Sequence, residues 1–287
     1  MHRKGHYHLV GIAGVGMSAL AEALHDAGFE VSGSDRFLDQ QERMSVLDAL
    51  GAQGIALFPQ DGTGLRKETL AVVVSTAIES DNPDLLKATA LAVAVQHRSE
   101  VLAALTQGQR CIGIAGTAGK TTCTAMVSWF LEQANLDPSA VNGGALVDWA
   151  TSGRSGAVRK GSSDLFVVET DESDRSLLNF SPSMAMITNI SVDHFSYEES
   201  VELFLDYALN VSGPLLLGPD MPEEIVARFK AIHPQVLQSV FDCDMIDGFG
   251  HFVLSGERFV CPVPGLHNAQ NAFLSGLLCL QLGLRLD

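Results

Sequence analysis

The sequence predicts an α/β protein built of two parallel-sheet units, and three observations carry that prediction. Short apolar runs alternate with helix-length stretches from Tyr7 to Leu282. Two of those runs open directly into glycine-rich turns followed by helix starts, GVGMSA at Gly14–Ala19 and GTAGKTT at Gly116–Thr122. Strands such as Leu70–Ser75 (LAVVVS) are continuously apolar and β-branched, which suits strands covered by helices on both faces. The 287 residues suffice for two domains, each with its own core. Thr106-Gln107-Gly108-Gln109 reads as a linker, so the expected domains are 1–107 and 108–287.

In the first domain, Tyr7–Ile12 reads as a strand and Ser18–Ala27 as a helix stopped by Gly28. Phe29–Gly33 is a second strand, ending in Ser34-Asp35. This βαβ unit has G-x-G-x-x-A at its first turn and an acid near the end of its second strand. That arrangement presents helix N–H groups to a diphosphate, as in a doubly wound, Rossmann-like sheet. The pattern admits a dinucleotide, another nucleoside diphosphate, or glycines that serve tight packing alone. A helix over Gln40–Leu50, a weak strand near Ile55 and the strand Leu70–Ser75 follow. That strand ends in Ser75, Thr76, Ala77 and Ile78, at the sheet edge where ligands gather. A helix over Asn82–Ala90, a strand over Leu91–Val95 and a helix over Ser99–Thr106 complete a parallel sheet of about five strands. His6 and His8 alternate near the N-terminus with His2 and read as a fraying strand rather than a metal site.

The second domain opens on the apolar run Cys111–Ala115, the loop Gly116–Thr122 and a helix over Cys123–Glu132. Gly116, Thr117, Gly119, Lys120, Thr121 and Thr122 form a phosphate cradle. Lys120, expected exposed, would neutralise the β/γ-phosphates, and Thr121 would offer a hydroxyl to Mg2+. The loop is shorter than the strict P-loop pattern, because Ile114 stands where that pattern has a glycine. Asp137–Gly144 reads as a turn region and Thr151–Ser163 as a basic surface loop. The strand Leu165–Val168 runs into Glu169-Thr170-Asp171-Glu172-Ser173-Asp174, four acids at a strand end. Carboxylates beside a phosphate loop are what Mg2+ needs, while a solvated acidic turn is the plainer alternative. Met184–Ile187 is the next strand, ending in TNISVDH, where Asp193 and His194 could join that site, with a capped turn as the plainer alternative for a lone Asp-His pair. Helices over Glu198–Asn210 and Glu223–Ile232, a strand over Leu215–Leu217 and a hairpin over Gly250–Cys261 come next. Pro264-Gly265-Leu266-His267-Asn268 then leads into a helix over Ala269–Leu282.

A net charge of −16 argues against nucleic acid and anionic membrane as partners, and requires local donors for any anionic ligand. Five scattered cysteines without C-x-x-C spacing fit reduced thiols in a cytoplasmic protein. No apolar run reaches the length of a membrane span.

The motifs GTAGKTT, ETDESD, TNISVDH and PGLHNAQNA stand in the order and spacing of the Mur ligases. The front end, GIAGVGMSALA with GSD and STAI, resembles the branch acting on UDP-N-acetylmuramate and L-alanine. The resemblance implies ATP-dependent amide bond formation in peptidoglycan synthesis. A muramyl carboxylate takes the γ-phosphoryl group of ATP, and an amino acid then attacks the acyl phosphate. It implies that Gly14, Gly16, Met17 and Ser18 meet the diphosphate of a UDP-N-acetylmuramate-type sugar. Asp35 and Ser75, Thr76, Ala77 and Ile78 would line its uridine end. Lys120 would stabilise the transferring phosphoryl group, Thr121 and Glu169 would hold one Mg2+, and His194 a second metal. His267, Asn268 and Asn271 would meet adenine and ribose. The chain departs from the branch at Ala118, where histidine is usual, and at Arg175, where glycine is usual. The family's third domain, which closes over ATP, has no counterpart here, so this chain is expected to be an incomplete ligase. A non-catalytic UDP-sugar or ATP module, and an NAD-binding oxidoreductase built on Gly14–Asp35, are the competing expectations.

Overall fold

The computed structural model describes residues 4–40, 44–151 and 153–285. The chain divides into two units, Met1–Gln107 with Val141–Lys160, and Gly108–Ala140 with Gly161–Asp287.

The first unit contains β1 (His6–Val10), α1 (Val15–Asp26), β2 (Glu30–Ser34), α2 (Arg36–Asp39), α3 (Ser45–Ala52) and β3 (Ala56–Phe58). It continues through β4 (Thr69–Val74), α4 (Pro83–Leu91), β5 (Ala94–His97) and α5 (Arg98–Leu105). The strands pair in parallel in the order β3-β2-β1-β4-β5, so the order reverses between β1 and β4. A crevice therefore opens at the carboxyl ends of those two strands. Local chemistry sets the helix starts. Asn82 accepts the Asp84 N–H at 2.9 Å with Pro83 in the first helical position, and His97 and Glu100 form a capping box on α5. Helix α1 begins at Val15, three residues earlier than expected, with Gly14 as its cap and the Ser18 N–H already donating to Gly14 O at 2.8 Å across Gly16. Leu9, Val10, Ile12, Leu20, Leu24, Val72 and Val73 are buried between sheet and helices.

His6 and His8 are buried within β1, not fraying. His6 bonds Thr69 Oγ1 through Nδ1 at 2.9 Å and Ser32 Oγ through Nε2 at 2.7 Å. Burial, then the Arg66 charge, pushes the His6 pKa down to about 4. His8 Nδ1 lies 2.8 Å from the same Ser32 hydroxyl and its Nε2 3.8 Å from Asp84. His2 lies outside the described residues.

Beyond residue 107 the chain forms β6 (Arg110–Ala115), α6 (Lys120–Gln133), β7 (Ser139–Val141), β8 (Val158–Arg159), β9 (Leu165–Glu169) and β10 (Met184–Ile187). There follow α7 (Tyr197–Leu209), β11 (Leu215–Leu217), α8 (Glu223–Ile232), β12 (Val236–Gln238), β13 (Cys243–Ile246), β14 (Phe249–Leu254), β15 (Glu257–Val260) and α9 (Leu266–Gln281). The sheet of the second unit runs β12-β11-β10-β6-β9-β7, with β6 between β10 and β9 in parallel. The expected hairpin is β14 and β15, with β13 added as a third antiparallel strand. Phe252, Leu254 and Cys261 seal it against Ala269 and Phe273 of α9.

The segment 141–160, expected in the second domain and largely as surface loop, packs with the first unit. The Arg154 guanidinium binds the Asp26 carboxylate, and the Ser155 N–H donates to Glu22 Oε1 at 3.0 Å. Glu22 is 1% exposed, so a charge on an apolar helix face is what draws the basic segment onto α1. No helix among the described residues is long and apolar enough to cross a membrane.

Candidate functional site

In the first unit a cavity of about 540 Å³ lies over the β1/β4 crevice. Gly14, Met17, Asp35, Ser75, Ala77 and Ile78, six of the nine residues expected to meet a UDP-sugar, line it. Thr76 is exposed in the same turn, which the Ile78 N–H closes onto Ser75 O at 3.2 Å. Ser18 is buried and its hydroxyl is spent on Val15 O at 3.0 Å, so it braces the first turn of α1. Asp35 is an organiser of the turn. Its Oδ2 accepts the Ala13 N–H at 2.9 Å and its Oδ1 the Phe37 N–H at 3.2 Å. The reading of single motifs missed Arg98. A guanidinium nitrogen of this α5 residue lies 2.8 Å from where a Cβ on Gly16 would stand. A cation is thereby delivered to the glycine turn by a helix more than eighty residues downstream, with no signal in the local sequence.

In the second unit the loop between β6 and α6 is fixed by backbone shape. Gly116 has φ +127 and Gly119 has φ +87, values L side chains rarely take. A Cβ on Gly116 would stand 2.0 Å from Thr188 Oγ1, and one on Gly119 2.7 Å from Asn271 Oδ1. The turn after β10 laces the loop in place. The Thr117 N–H donates to Asn189 O at 3.1 Å, and the Ala118 N–H to Asn189 Oδ1 at 3.0 Å. Asn189 Nδ2 returns a bond to Ala118 O at 2.8 Å. The bonds at position 118 are main-chain bonds, so alanine in place of histidine leaves them intact. Thr122 is half-buried in the first turn of α6.

Lys120 is only 13% exposed, against the expectation of an exposed side chain. Its Nζ donates to Gly116 O at 2.8 Å and to Glu172 Oε1 at 3.0 Å, with Glu172 Oε2 at 2.7 Å. The Thr121 hydroxyl donates to Glu169 Oε1 at 3.1 Å. The four acids of the strand end thus divide their work. Glu169 and Glu172 face the loop, while Asp171 and Asp174 accept the N–H groups of Ser173 and Ser176 at 3.1 and 3.0 Å and shape the turn. Arg175 sits in that turn at φ +60, the left-handed conformation for which glycine is the usual choice, with its guanidinium 5.0 Å from the Phe195 ring centroid.

His194 is half exposed and lies 3.6 Å from Asp193. Among the described residues no three His, Cys, Asp or Glu side chains cluster closely enough to hold a metal. The oxygen pair of Thr121 and Glu169 still suits Mg2+, which takes few protein oxygens and keeps several waters. On α9, Asn271 is buried against Gly119 and also lines a cavity of about 170 Å³ with Thr188, Asn189, Pro219, Gln270 and Leu274. His267 and Asn268 serve the turn before α9. The Asn268 side chain donates to Pro264 O at 2.7 Å, and the His267 ring stands beside Gly265.

Two parallel sheets, each opening into a glycine turn at a helix N-terminus, define a two-unit α/β protein with Rossmann-like and P-loop-like folds. The description "Mur ligase family, catalytic domain" matches residues 6–110, and "Mur ligase middle domain" matches residues 114–208. The chain belongs to the Mur ligase family. The UDP-N-acetylmuramate–L-alanine ligase of Burkholderia multivorans is 36% identical over 307 residues, covering 100% of this chain and 64% of that protein. The chain thus spans 64% of the length of that curated relative. Two solved structures share the fold at a TM-score of 0.82 each. One is a UDP-N-acetylmuramate:L-alanyl-gamma-D-glutamyl-meso-diaminopimelate ligase from Neisseria meningitides, 22% identical, with 98% of this chain and 94% of that chain covered. The other is a UDP-N-acetylmuramate-alanine ligase from Thermotoga maritima, 24% identical, with 99% and 66% covered.

Proposed function

We propose that this chain carries the UDP-sugar and ATP sites of a ligase that joins an amino acid, L-alanine, to the carboxylate of UDP-N-acetylmuramate in peptidoglycan synthesis. Such a reaction, fed by ATP and a nucleotide sugar, belongs in the cytoplasm. The observation that carries the reading is the pair of contacts that bind the loop to the strand end, Lys120 with Glu172 and Thr121 with Glu169. A cation, a hydroxyl and a carboxylate meet there at a helix N-terminus, which is the equipment for a triphosphate with its metal.

In this reading the muramyl carboxylate oxygen attacks the γ-phosphorus and ADP leaves, giving an acyl phosphate. The alanine amine then attacks the acyl carbon, expels phosphate and loses a proton. Lys120 holds charge on the transferring phosphoryl group, and Gly116, Thr117, Gly119 and Thr122 shape the cradle. Thr121 and Glu169 hold Mg2+, which when bound neutralises phosphate charge. His194, on the turn after β10, serves a second metal. Asn271, with His267 and Asn268, bounds the adenosine end. In the first unit Gly14, Gly16 and Met17 take the diphosphate, with Ser18 bracing their turn, and Asp35 with Ser75 to Ile78 bounds the uridine. The catalysis is positioning and electrostatic stabilisation, without a covalent enzyme intermediate.

Calorimetry on the purified chain tests this. It should bind UDP-N-acetylmuramate and Mg-ATP as two separate ligands, with NADH producing no heat or fluorescence change. NADH binding that UDP-N-acetylmuramate fails to displace would overturn the assignment of the first unit. Absence of Mg-ATP binding would overturn that of the second.

A further inference from the structure

The acid that faces Lys120 marks the site in the reading above but is given no task there, and its geometry gives it one. A lysine ammonium has three donors and no acceptor. Nζ donates to Gly116 O at 2.8 Å and to Glu172 Oε1 at 3.0 Å, and Glu172 Oε2 stands 2.7 Å away as an ion-pair contact without a hydrogen bond. Glu172 is 5% exposed at its side chain, so its charge is neutralised by this lysine far more than by water. The ammonium that a phosphate would recruit is already paired with this carboxylate, and Glu169 adds a further carboxylate at the loop through Thr121.

We propose that Glu172 is a positioning residue that makes nucleotide binding at this loop conditional on a divalent cation. This rests on the ATP reading of the loop. A metal-free triphosphate entering the cradle must draw Lys120 away from Glu172 and leave a buried carboxylate uncompensated beside several new negative charges. A triphosphate that arrives with Mg2+ brings its own neutralisation and can share the lysine without stripping it. Glu172 also holds the ammonium against Gly116 O, at the mouth of the cradle, so that it is in place when the complex arrives. The turn that positions Glu172 is braced on either side of it. Asp171 and Asp174 close the turn, and the Arg175 N–H donates to Glu172 O at 2.9 Å.

The proposal is tested by calorimetric titration of the whole chain with ATP, once with Mg2+ and once with a chelator, for wild type, Glu172→Gln and Glu172→Asp. The wild type should bind Mg-ATP and bind metal-free ATP at least about tenfold more weakly, as expected when one unit charge a few ångströms away goes uncompensated. Glu172→Gln should recover about tenfold in metal-free affinity while its Mg-ATP affinity moves by less than about threefold, and Glu172→Asp should restore the discrimination. A wild type that binds both forms equally overturns the proposal without any variant. A Glu172→Gln chain whose two affinities keep the wild-type ratio overturns it as well. Loss of Mg-ATP binding in the wild type would remove the ATP reading and this proposal together, whereas intact Mg-ATP binding with an unchanged ratio removes the proposal alone.

Discussion

The glycine turn of the first unit and the loop of the second solve one problem with different means. Both leave a parallel strand, expose helix N–H groups and rely on glycine. In the first, the helix cap Gly14 is extended and the first turn of α1 carries no charge. Its charges are imported: Asp35 from the end of β2 holds the turn, and Arg98 from α5 stands against Gly16. In the second, the cap Gly119 is left-handed and Lys120 follows at once, inside the helix and clamped by Glu172. In the proposed reading the backbone makes the anion site, and the side chains placed around it set how much charge the site asks for. A turn served by one borrowed cation would suit a diphosphate. A turn whose own cation is matched by one acid, with a second acid on the adjoining threonine, would suit a triphosphate with metal.

The largest expected effect separates the two sites outright. Lys120→Ala should weaken Mg-ATP binding by about a thousandfold, near 4 kcal/mol, and leave UDP-N-acetylmuramate affinity unchanged in calorimetry. Because the substitution strands a buried Glu172, it should also lower stability by about 3 kcal/mol, a loss that adding Glu172→Gln reduces. A parallel fall in UDP-sugar affinity would erase the distinction between the sites.

Next in size is an acid sensitivity that belongs to the first unit. His6 titrates near 4 in the folded chain against an ordinary value of 6.5. The unfolded chain therefore takes up the proton first. Its contribution is fully present above pH 6.5 and declines as the pH falls toward 4, by up to about 3 kcal/mol. Urea titrations at several pH values should show this slope in wild type and a flatter one in His6→Gln. An unchanged slope in the variant would assign the acid sensitivity elsewhere.

Glu169→Gln should cost about tenfold in Mg-ATP affinity and much less without metal, since it removes one hard oxygen ligand and its charge but leaves the cradle whole. Equal losses in both conditions would take Glu169 out of the metal site. Smallest is Arg98→Ala, expected to weaken UDP-N-acetylmuramate binding by about fivefold and to reduce its salt dependence, with ATP binding untouched. No change in the salt dependence would return Arg98 to a packing role beside Gly16.

Much of both sites was legible because their chemistry is local in the chain. Gly116 to Thr122 is contiguous, and the strand, turn and helix it needs are written in sequence around it. The same holds for Gly14 to Ser18, for the run Glu169–Asp174, and for the apolar strands that fix a parallel sheet. Strands β7, β8, β12 and β13 escaped because each has no more than four residues and none alternates cleanly; the sheets they join make them strands.

By itself the sequence determined that this is an α/β chain with two glycine turns and an acid-rich strand end, since periodicity, glycine and charge act over a few residues. Tertiary structure alone decided which acid faces Lys120. The family resemblance already paired Glu169 with Thr121, but among the remaining acids only the turn that caps itself on Asp171 and Asp174 sends Glu172 to Lys120. It also decided that Arg98 reaches Gly16, that Asn189 laces the loop, and that the basic segment 141–160 lies on α1. Charge and hydrogen bonding act over a few ångströms, so their partners are set by where the sheets bring distant residues and not by their spacing along the chain.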